Sequence, residues 1–340
     1  MTLTMNLGEN TYDILVKRGI LNTVGDELNL NRRVFIATDD GVPEEYIKKI
    51  SSACKEYTVF TLPSGEESKN IENYSKMLSA MVNSGLTRAD CVVAVGGGVT
   101  GDLSGFAAST YMRGIDFYNI PTTLLSQIDS SIGGKTGIDF VGFKNLVGTF
   151  NQPKKVVIDP DVLNTLPKRQ ISNGLAEAIK MAATCDAKLF ELLETVNYRE
   201  NMNEIIVGSL KIKRAVVEKD EREAGPRRVL NFGHTVGHAI ESTNKNLLHG
   251  ECVALGMIPM CSESVRKRLK KVLEKAGLPT EFEYDTEKLI NAIAHDKKVA
   301  GNQINLVYVE EIGSFKLMTI PLENLISMLV TAFAESGGKI

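Results

Sequence analysis

The run CVVAV (91–95) is apolar at every position and passes without a break into GGGVTGD. A strand with no polar alternation needs cover on both faces, a condition met in parallel sheets with helices on either side. The surrounding sequence fits that demand. RVFIAT (33–38), YTVFTL (57–62), DFYNIP (116–121) and KVVIDP are further short runs rich in β-branched and aromatic residues. Helical spacing separates them, from about Pro43 to Cys54 and along IENYSKMLSAMVNSG. The alternation predicts a Rossmann-like α/β domain over residues 1–160, built on a mostly parallel sheet. From residue 161 to 340 the texture is mainly helical: KRQISNGLAEAIKMA, EIIVGSLKIKRAVVEKDE, NFGHTVGHAIES and ECVALGMIPMCSESVRKRLKKVLEKAG all carry helical periodicity. A short β-like pair, INLVYV and SFKLMTI, precedes a last helix. No low-complexity linker divides the halves, so two domains that share a ligand cleft are expected.

Several classes are disfavoured early. A net charge of −3 gives no reason to expect nucleic acid or an anionic membrane as partner. No apolar run approaches the roughly 18 residues of a membrane span, and MTLTMNLGEN has neither a basic nor an apolar leader region. Five scattered cysteines without a C-x-x-C pattern read as reduced residues of a cytoplasmic protein.

Four segments carry chemistry. Gly96, Gly98 and Gly101 fit G-x-G-x-x-G at a strand-to-helix turn, where backbone N–H groups can approach a pyrophosphate. Asp102 follows directly. PSGEESK (63–69) ends an earlier strand at the same expected sheet edge, with Glu66 able to accept from a ribose or adenine and Lys69 able to donate. Residues 122–151 form a long glycine-rich segment read as a functional loop, punctuated by Asp129, Lys135, Asp139 and Lys144. Its GGKTG is half a phosphate loop; the full pattern is absent, which excludes an ATPase, while Lys135 still suits a phosphate or carboxylate.

The fourth segment is LNFGHTVGHAIE (230–241). His234 and His238 stand four apart, on one helix face, and His249 follows in LLHGE. Three of the four histidines therefore fall within 16 positions. The residues between the first two include no glutamate, so the H-E-x-x-H protease motif is absent. Imidazoles in this number suit zinc or a similar divalent ion. Either all three bind, or two bind with a carboxylate from elsewhere; Glu177, amid small and apolar neighbours and three residues before Lys180, is one candidate.

Together GGGVTGDLSGFAASTYMRG, IPTTLLSQIDSSIGGKTG, FKNLVGTFNQP, NGLAEAIK, DEREAGPRRVLNFGHTVGHAIE, LLHGE and HDKK, in that order, resemble the 3-dehydroquinate synthase family. The resemblance implies the conversion of 3-deoxy-D-arabino-heptulosonate 7-phosphate to 3-dehydroquinate and phosphate, in the shikimate pathway of aromatic amino acid biosynthesis. It implies bound NAD, at Asp39, Glu66, Lys69, Gly97, Gly98, Val99, Asp102, Thr122, Thr123, Asp129, Lys135, Lys144 and Asn173. It implies zinc or cobalt held by Glu177, His234 and His249. Arg113, Lys135, Asn145, Lys180, Lys213, Arg227, Asn231 and Lys297 match its substrate positions. His238, Lys135, Lys180, Lys213 and Arg227 match its catalytic ones. A homodimer is implied, with the residue corresponding to Arg113 near the neighbouring subunit's site. The chain departs from the family loop at Asp139 and Phe143. Rival expectations are a sister sugar-phosphate cyclase, a polyol dehydrogenase of the glycerol dehydrogenase type, and a non-enzymatic binding protein on the same fold.

Overall fold

The computed structural model describes residues 1–282, 286–294, 299–300 and 303–334. It divides into two compact units, Met1–Pro167 with Lys213–Arg222, and Lys168–Ile212 with Glu223–Ile340. The expected boundary at residue 160 lies a few residues before this division. The return of 213–222 to the first unit was not foreseen, because it falls inside one uninterrupted helical pattern.

In the first unit the strands are β1 (Thr2–Met5), β2 (Tyr12–Val16), β3 (Arg33–Asp39), β4 (Glu56–Leu62), β5 (Cys91–Gly96), β6 (Asp116–Pro121), β7 (Lys135–Phe140), β8 (Phe143–Phe150) and β9 (Lys155–Ile158). Its helices are α1 (Val24–Glu27), α2 (Glu44–Ser52), α3 (Ile71–Asn83) and α4 (Gly98–Thr110). Seven strands form one sheet in the order β1-β2-β9-β6-β5-β3-β4. All its pairings are parallel except β1 with β2. Alternate residues of β3 and β5 enter different cores. Val34, Ile36, Val93 and Val95 pack with Ile20, Leu21, Val24 and Ile50. Phe35, Ala37, Val92 and Ala94 pack with Met77, Met81, Leu103 and Phe106. This two-sided burial explains why CVVAV shows no alternation.

The segment 122–151 is not a loop. Ser126–Ser130 make a turn of π-helix, and β7 and β8 form an antiparallel hairpin. Phe140 pairs with Phe143 across a two-residue turn in which Val141 (φ 50°) and Gly142 (φ 80°) are both left-handed. That is the conformation of a type I′ hairpin turn, usually signalled by Asn-Gly or Asp-Gly. Here a β-branched valine occupies the first place, and the usual signal is missing.

The second unit is helical: α5 (Lys168–Cys185), α6 (Ala187–Thr195), α7 (Met202–Lys219, divided between the units), α8 (His234–Thr243), α9 (His249–Met257), α10 (Glu263–Lys275), α11 (Thr286–Ala294) and α12 (Leu322–Ala334). A small antiparallel sheet of β10 (Val299–Ala300), β11 (Gln303–Tyr308) and β12 (Lys316–Pro321) completes it. The five cysteines are unpaired by disulfides. Among the described residues no helix is long and apolar enough to cross a membrane.

Helices α8 and α9 meet almost backbone to backbone. A Cβ at Gly256 would lie 2.0 Å from the Gly233 carbonyl oxygen and 2.6 Å from the Gly237 nitrogen. Both obstacles are backbone, so no rotamer change relieves them. Gly256→Ala should therefore cost about 2–3 kcal/mol or more, read as a fall in the denaturant midpoint. An unshifted midpoint would contradict this packing.

Candidate active site

Helix α5 places Asn173, Glu177 and Lys180 at i, i+4 and i+7, on one side of a helix that is buried from Asn173 to Thr184. Glu177 and Lys180 are almost wholly enclosed, with side chains 1 % and 2 % exposed. Lys180 Nζ donates to Glu177 Oε2. Glu177 Oε1 has no hydrogen-bond donor of its own. It faces His234 Nε2 at 3.7 Å and His249 Nε2 at 3.5 Å. Burial alone would raise the Glu177 carboxyl, but Lys180 and His249 overrule it and hold the group at about 2. Burial would lower His249; Glu177 and Glu241 reverse that and bring it up to about 10.

Each imidazole is placed by a helix start. His234 is the first residue of α8, after Gly233 in the left-handed region (φ 77°). Its Nδ1 lies 3.1 Å from the Phe232 carbonyl oxygen, which leaves Nε2 turned to Glu177. His249 is the first residue of α9, and that helix end is tied down from three directions. Leu248 N–H donates to Glu251 Oε2 (2.8 Å), Arg169 Nε donates to Glu251 Oε1 (2.7 Å), and Gly250 N–H donates to Asn173 Oδ1 (2.6 Å). One turn along α8, the His238 ring stands 5.2 Å from that of His234 and 6.0 Å from that of His249.

The geometry suits a divalent cation. Four ligands at about 2.1 Å around a tetrahedral ion stand about 3.4 Å from one another, close to the spacings around Glu177 Oε1. A buried carboxylate oxygen without a donor, opposite two Nε2 atoms, is the donor set such an ion takes. Among the described residues two groups of side chains have this character: Glu177, His234 and His249, and beside them His238, Glu241 and His249. The alternatives left open by the three histidines thus meet a specific arrangement, in which Glu177 joins two of them.

Around this cluster, Arg227 is buried at 2 % exposure in the short helix Pro226–Asn231. Asn231 Nδ2 donates to Glu223 Oε1 (2.8 Å), and Glu223 itself has a left-handed backbone (φ 58°). Sequence reasoning passed over Glu223 and Glu241. Glu241 carries a legible signal, since it lies seven residues after His234 on the same helix face; Glu223 carries none. Asn173, expected at the cofactor, has its amide oxygen engaged by Gly250 and its Nδ2 by Gln170.

The first unit gathers a second cluster at the carboxyl ends of its strands. Asp39 closes β3 and accepts from Thr100 Oγ1 at 2.7 Å. Gly96 has no room for a side chain there, because a Cβ would meet Thr100 Oγ1 at 2.6 Å and Asp39 Oδ2 at 2.7 Å. Gly97 precedes α4, whose first residues are Gly98, Val99 and Thr100. Thr122 N–H donates to the Gly96 carbonyl (2.9 Å), and Thr123 lies beside Gly97. Lys69 is 4 % exposed and donates to Asp102 Oδ2 and Asn145 Oδ1, both at 2.5 Å. Burial works against its charge, but Asp102 and Glu66 prevail and raise it. Asp139 reaches the same cluster. Its N–H donates to the Lys69 carbonyl, and its Oδ1 accepts from Asn145 N–H, each at 2.8 Å. The backbone of residue 139 therefore ties the hairpin to the Lys69 turn, while the Asp139 side chain, the departure itself, braces the hairpin internally. Lys144 lies 3.8 Å from Glu66. Lys213 donates to the Asp129 carboxylate (2.5 Å) and carbonyl (2.6 Å). Lys135 is exposed beside a small polar recess lined by Asp102, Asn119, Ser130 and Ser131. Arg113 is exposed, at a left-handed position (φ 68°). Lys297 lies outside the described residues.

The chain combines a mostly parallel sheet unit with a helical unit that carries a His₂-carboxylate cluster, and solved sugar-phosphate cyclases share this fold. The fold is similar to 2-deoxy-scyllo-inosose synthase solved with carbaglucose-6-phosphate, NAD+ and Co2+ (TM-score 0.89, 22 % identity, 98 % of this chain and 100 % of that one). It is also similar to the 2-epi-5-epi-valiolone synthase of Streptomyces hygroscopicus solved with NAD+ and Zn2+ (TM-score 0.87, 28 % identity, 97 % and 99 %). A probable glycerol dehydrogenase from Sinorhizobium meliloti is more distant (TM-score 0.62, 13 % identity, 96 % and 98 %). Family models described as 3-dehydroquinate synthase N-terminal and C-terminal match residues 59–173 and 174–299. Relatives named 3-dehydroquinate synthase include one from Streptococcus thermophilus, 41 % identical over 95 % of this chain and 98 % of its own. Another, from Enterococcus faecalis, is 42 % identical over 97 % and 98 %. The chain belongs to the 3-dehydroquinate synthase family.

Two predictions follow from this geometry. In Glu177→Gln the bound zinc should fall from about one equivalent per chain to a small fraction. Stability should also drop by about 3–5 kcal/mol, since the buried Lys180 loses the carboxylate of Glu177. His249→Ala, at a side chain 32 % exposed, should lose the metal without that second penalty. Metal analysis beside denaturant titration separates the two, and full zinc content in both variants would refute the cluster. The second concerns Glu251, whose carboxyl lies below its usual range because Arg169 and the Leu248 N–H outweigh burial. A depressed carboxyl contributes stability above its unfolded value, and that contribution is lost as pH falls through the folded one. Glu251→Gln should therefore unfold at lower denaturant at pH 7, by about 1 kcal/mol. The gap to wild type should close as pH falls through the depressed range of the folded carboxyl; a gap constant with pH would show that the charge is irrelevant.

Proposed function

We propose that the chain converts 3-deoxy-D-arabino-heptulosonate 7-phosphate into 3-dehydroquinate and phosphate, as a phosphate-eliminating, cyclising carbon–oxygen lyase. The observation that carries this reading is the Glu177 oxygen without a donor, set opposite two imidazoles in a chain 41 % identical to a 3-dehydroquinate synthase over 95 % of its length.

Glu177, His234 and His249 would hold zinc or cobalt. Asp39, Glu66, Lys69, Gly97, Gly98, Val99, Asp102, Thr122, Thr123, Asp129, Lys135, Lys144 and Asn173 would hold NAD. When bound, the cation supplies Lewis acidity and the dinucleotide a reversible hydride acceptor. The remaining work belongs to the side chains. Lys180 keeps Glu177 ionised and so ready to act as a ligand. Arg227, Asn231 and Lys213, with Lys135, Lys180, Asn145 and Arg113, would clamp the substrate's carboxylate and phosphate and fix its hydroxyls. Arg227 suits the carboxylate best, as a buried, planar, permanently charged donor. His238 would move the proton of the reacting secondary hydroxyl to and from water.

The conversion is redox-neutral. Transient oxidation of a secondary hydroxyl to a ketone acidifies the adjacent C–H. Loss of that proton expels phosphate by β-elimination. The ketone is then reduced again, the ring opens, and an intramolecular aldol addition closes the carbocycle. A cytoplasmic homodimer is the matching assembly. A sister cyclase is the second reading, because two such enzymes share the fold at TM-scores of 0.87 and 0.89. Their identities of 22 % and 28 % stand well below the 41–42 % of the 3-dehydroquinate synthases.

Incubation of the protein with NAD, zinc and the heptulosonate phosphate should release phosphate with no lasting absorbance from reduced cofactor. Accumulating absorbance without phosphate would instead identify a dehydrogenase. Turnover of a hexose phosphate or heptulose phosphate lacking the carboxylate, in preference to the acid, would identify a sister cyclase.

A further inference from the structure

The two imidazoles that face Glu177 are not held alike. His234 sets its Nδ1 3.1 Å from a backbone carbonyl, at a side chain only 12 % exposed. His249 is 32 % exposed and has no such carbonyl beside its Nδ1; what stands there is Glu241 Oε2, at 3.5 Å. Glu241 comes from the face of α8 that also carries His234 and His238, at i, i+4 and i+7, and its side chain is 12 % exposed. One nitrogen of His249 thus meets Glu241 while the other meets Glu177.

We infer that Glu241 is a positioning residue for the metal centre: it accepts the Nδ1–H of His249, fixes that tautomer, and aims the Nε2 lone pair at the point shared with Glu177 and His234. The inference rests on the reading of Glu177, His234 and His249 as the metal ligands. Carboxylate–imidazole–metal chains orient the ring and raise the basicity of the ligating nitrogen. The need is greatest at His249, the more exposed ligand, on a helix end whose ring would otherwise turn freely. Because a carboxylate and not a carbonyl backs this ring, His249 becomes the stronger donor of the pair.

The same carboxylate also stands within reach of His238, and His238, Glu241 and His249 together make a group with metal-ligating atoms within 4.8 Å of one another. A second ion there would require His249 to serve two metals through its two nitrogens. The positioning role needs only one proton on Nδ1.

The test uses the full chain, stripped of metal and titrated with zinc against a chromophoric chelator, followed by visible spectra of the cobalt form. Glu241→Ala should bind one zinc about 10- to 100-fold more weakly than wild type, with an altered cobalt spectrum. Glu241→Gln, which can still accept from Nδ1–H, should recover most of the affinity and the wild-type spectrum. If the alanine variant does not fold, Glu241→Met fills the space without accepting and takes its place. Wild-type affinity in the alanine or methionine variant would overturn the proposal. So would a glutamine variant as weak as alanine, or a second zinc equivalent in wild type that the variants lose. If Glu177→Gln instead titrates like wild type, the metal reading beneath the proposal fails, whatever Glu241 does.

Discussion

The structure turns on a carboxylate that is buried and only half satisfied. Glu177 gives one oxygen to Lys180 and leaves the other facing two imidazoles. An ionised carboxylate in an enclosed site costs several kcal/mol unless it is paired. Lys180 meets that need and, being buried itself, is held by it. The pair is therefore a fixed negative–positive couple whose spare acceptor has one direction to point. The helix packing around it serves that direction. Backbone contact between α8 and α9 at Gly233, Gly237 and Gly256 brings the two histidine-bearing helix starts together. The Arg169–Glu251–Leu248 and Asn173–Gly250 bonds stop the start of α9 from fraying.

Helix starts are a deliberate place for these ligands. A first-turn residue is oriented by its helix axis and yet is not hemmed in by a preceding turn. An anion is favoured at a helix start and a cation is not. His234 and His249 therefore work against the local dipole when protonated, and the nearby carboxylates Glu177 and Glu241 supply the compensating charge. In the first unit the same logic appears with sign reversed. The start of α4, beside Gly97 and Gly98, suits an anion, and Asp39 and Asp102 are kept occupied by Thr100 and Lys69.

How much of this was legible in the chain depends on the range of the interaction that made it. β3, β5, β6 and β9 announced themselves because most of their length is buried, so their composition is strongly biased; β4, largely exposed at the sheet edge, showed only through its β-branched and aromatic run. β1 and β2 are short and partly polar, and their pairing is decided by the sheet edge they complete. The hairpin escaped notice for a definite reason. β8 leaves Phe143, Leu146 and Phe150 exposed, so its apolar residues do not report a buried face. Its turn also uses Val141 where the common signal is asparagine or aspartate. The histidines were legible by spacing, since i and i+4 on a helix must share a face. Glu177 stood out by its small and apolar neighbours, but a surface pair with Lys180 fits NGLAEAIK equally well, so local sequence does not settle whether the carboxylate is buried. Only the packing of α5 against α9 decides that, together with the family resemblance.

Asn173 matches a cofactor position of the family and also holds a helix junction. It falls in the same helix as Glu177 and would be read with it as part of the binding surface. In the folded chain its amide oxygen caps Gly250, and a Cβ at Gly250 would lie 2.1 Å from the Asn173 carbonyl. The junction uses both ends of the amide: an aspartate could accept from Gly250 but could not also donate to Gln170. A residue can therefore match a functional pattern and also hold a ligand-bearing helix in register. Glu241 and Glu251 belong with it. Glu251 holds the Leu248 end of the turn before His249, and Glu241 stands beside His249 Nδ1.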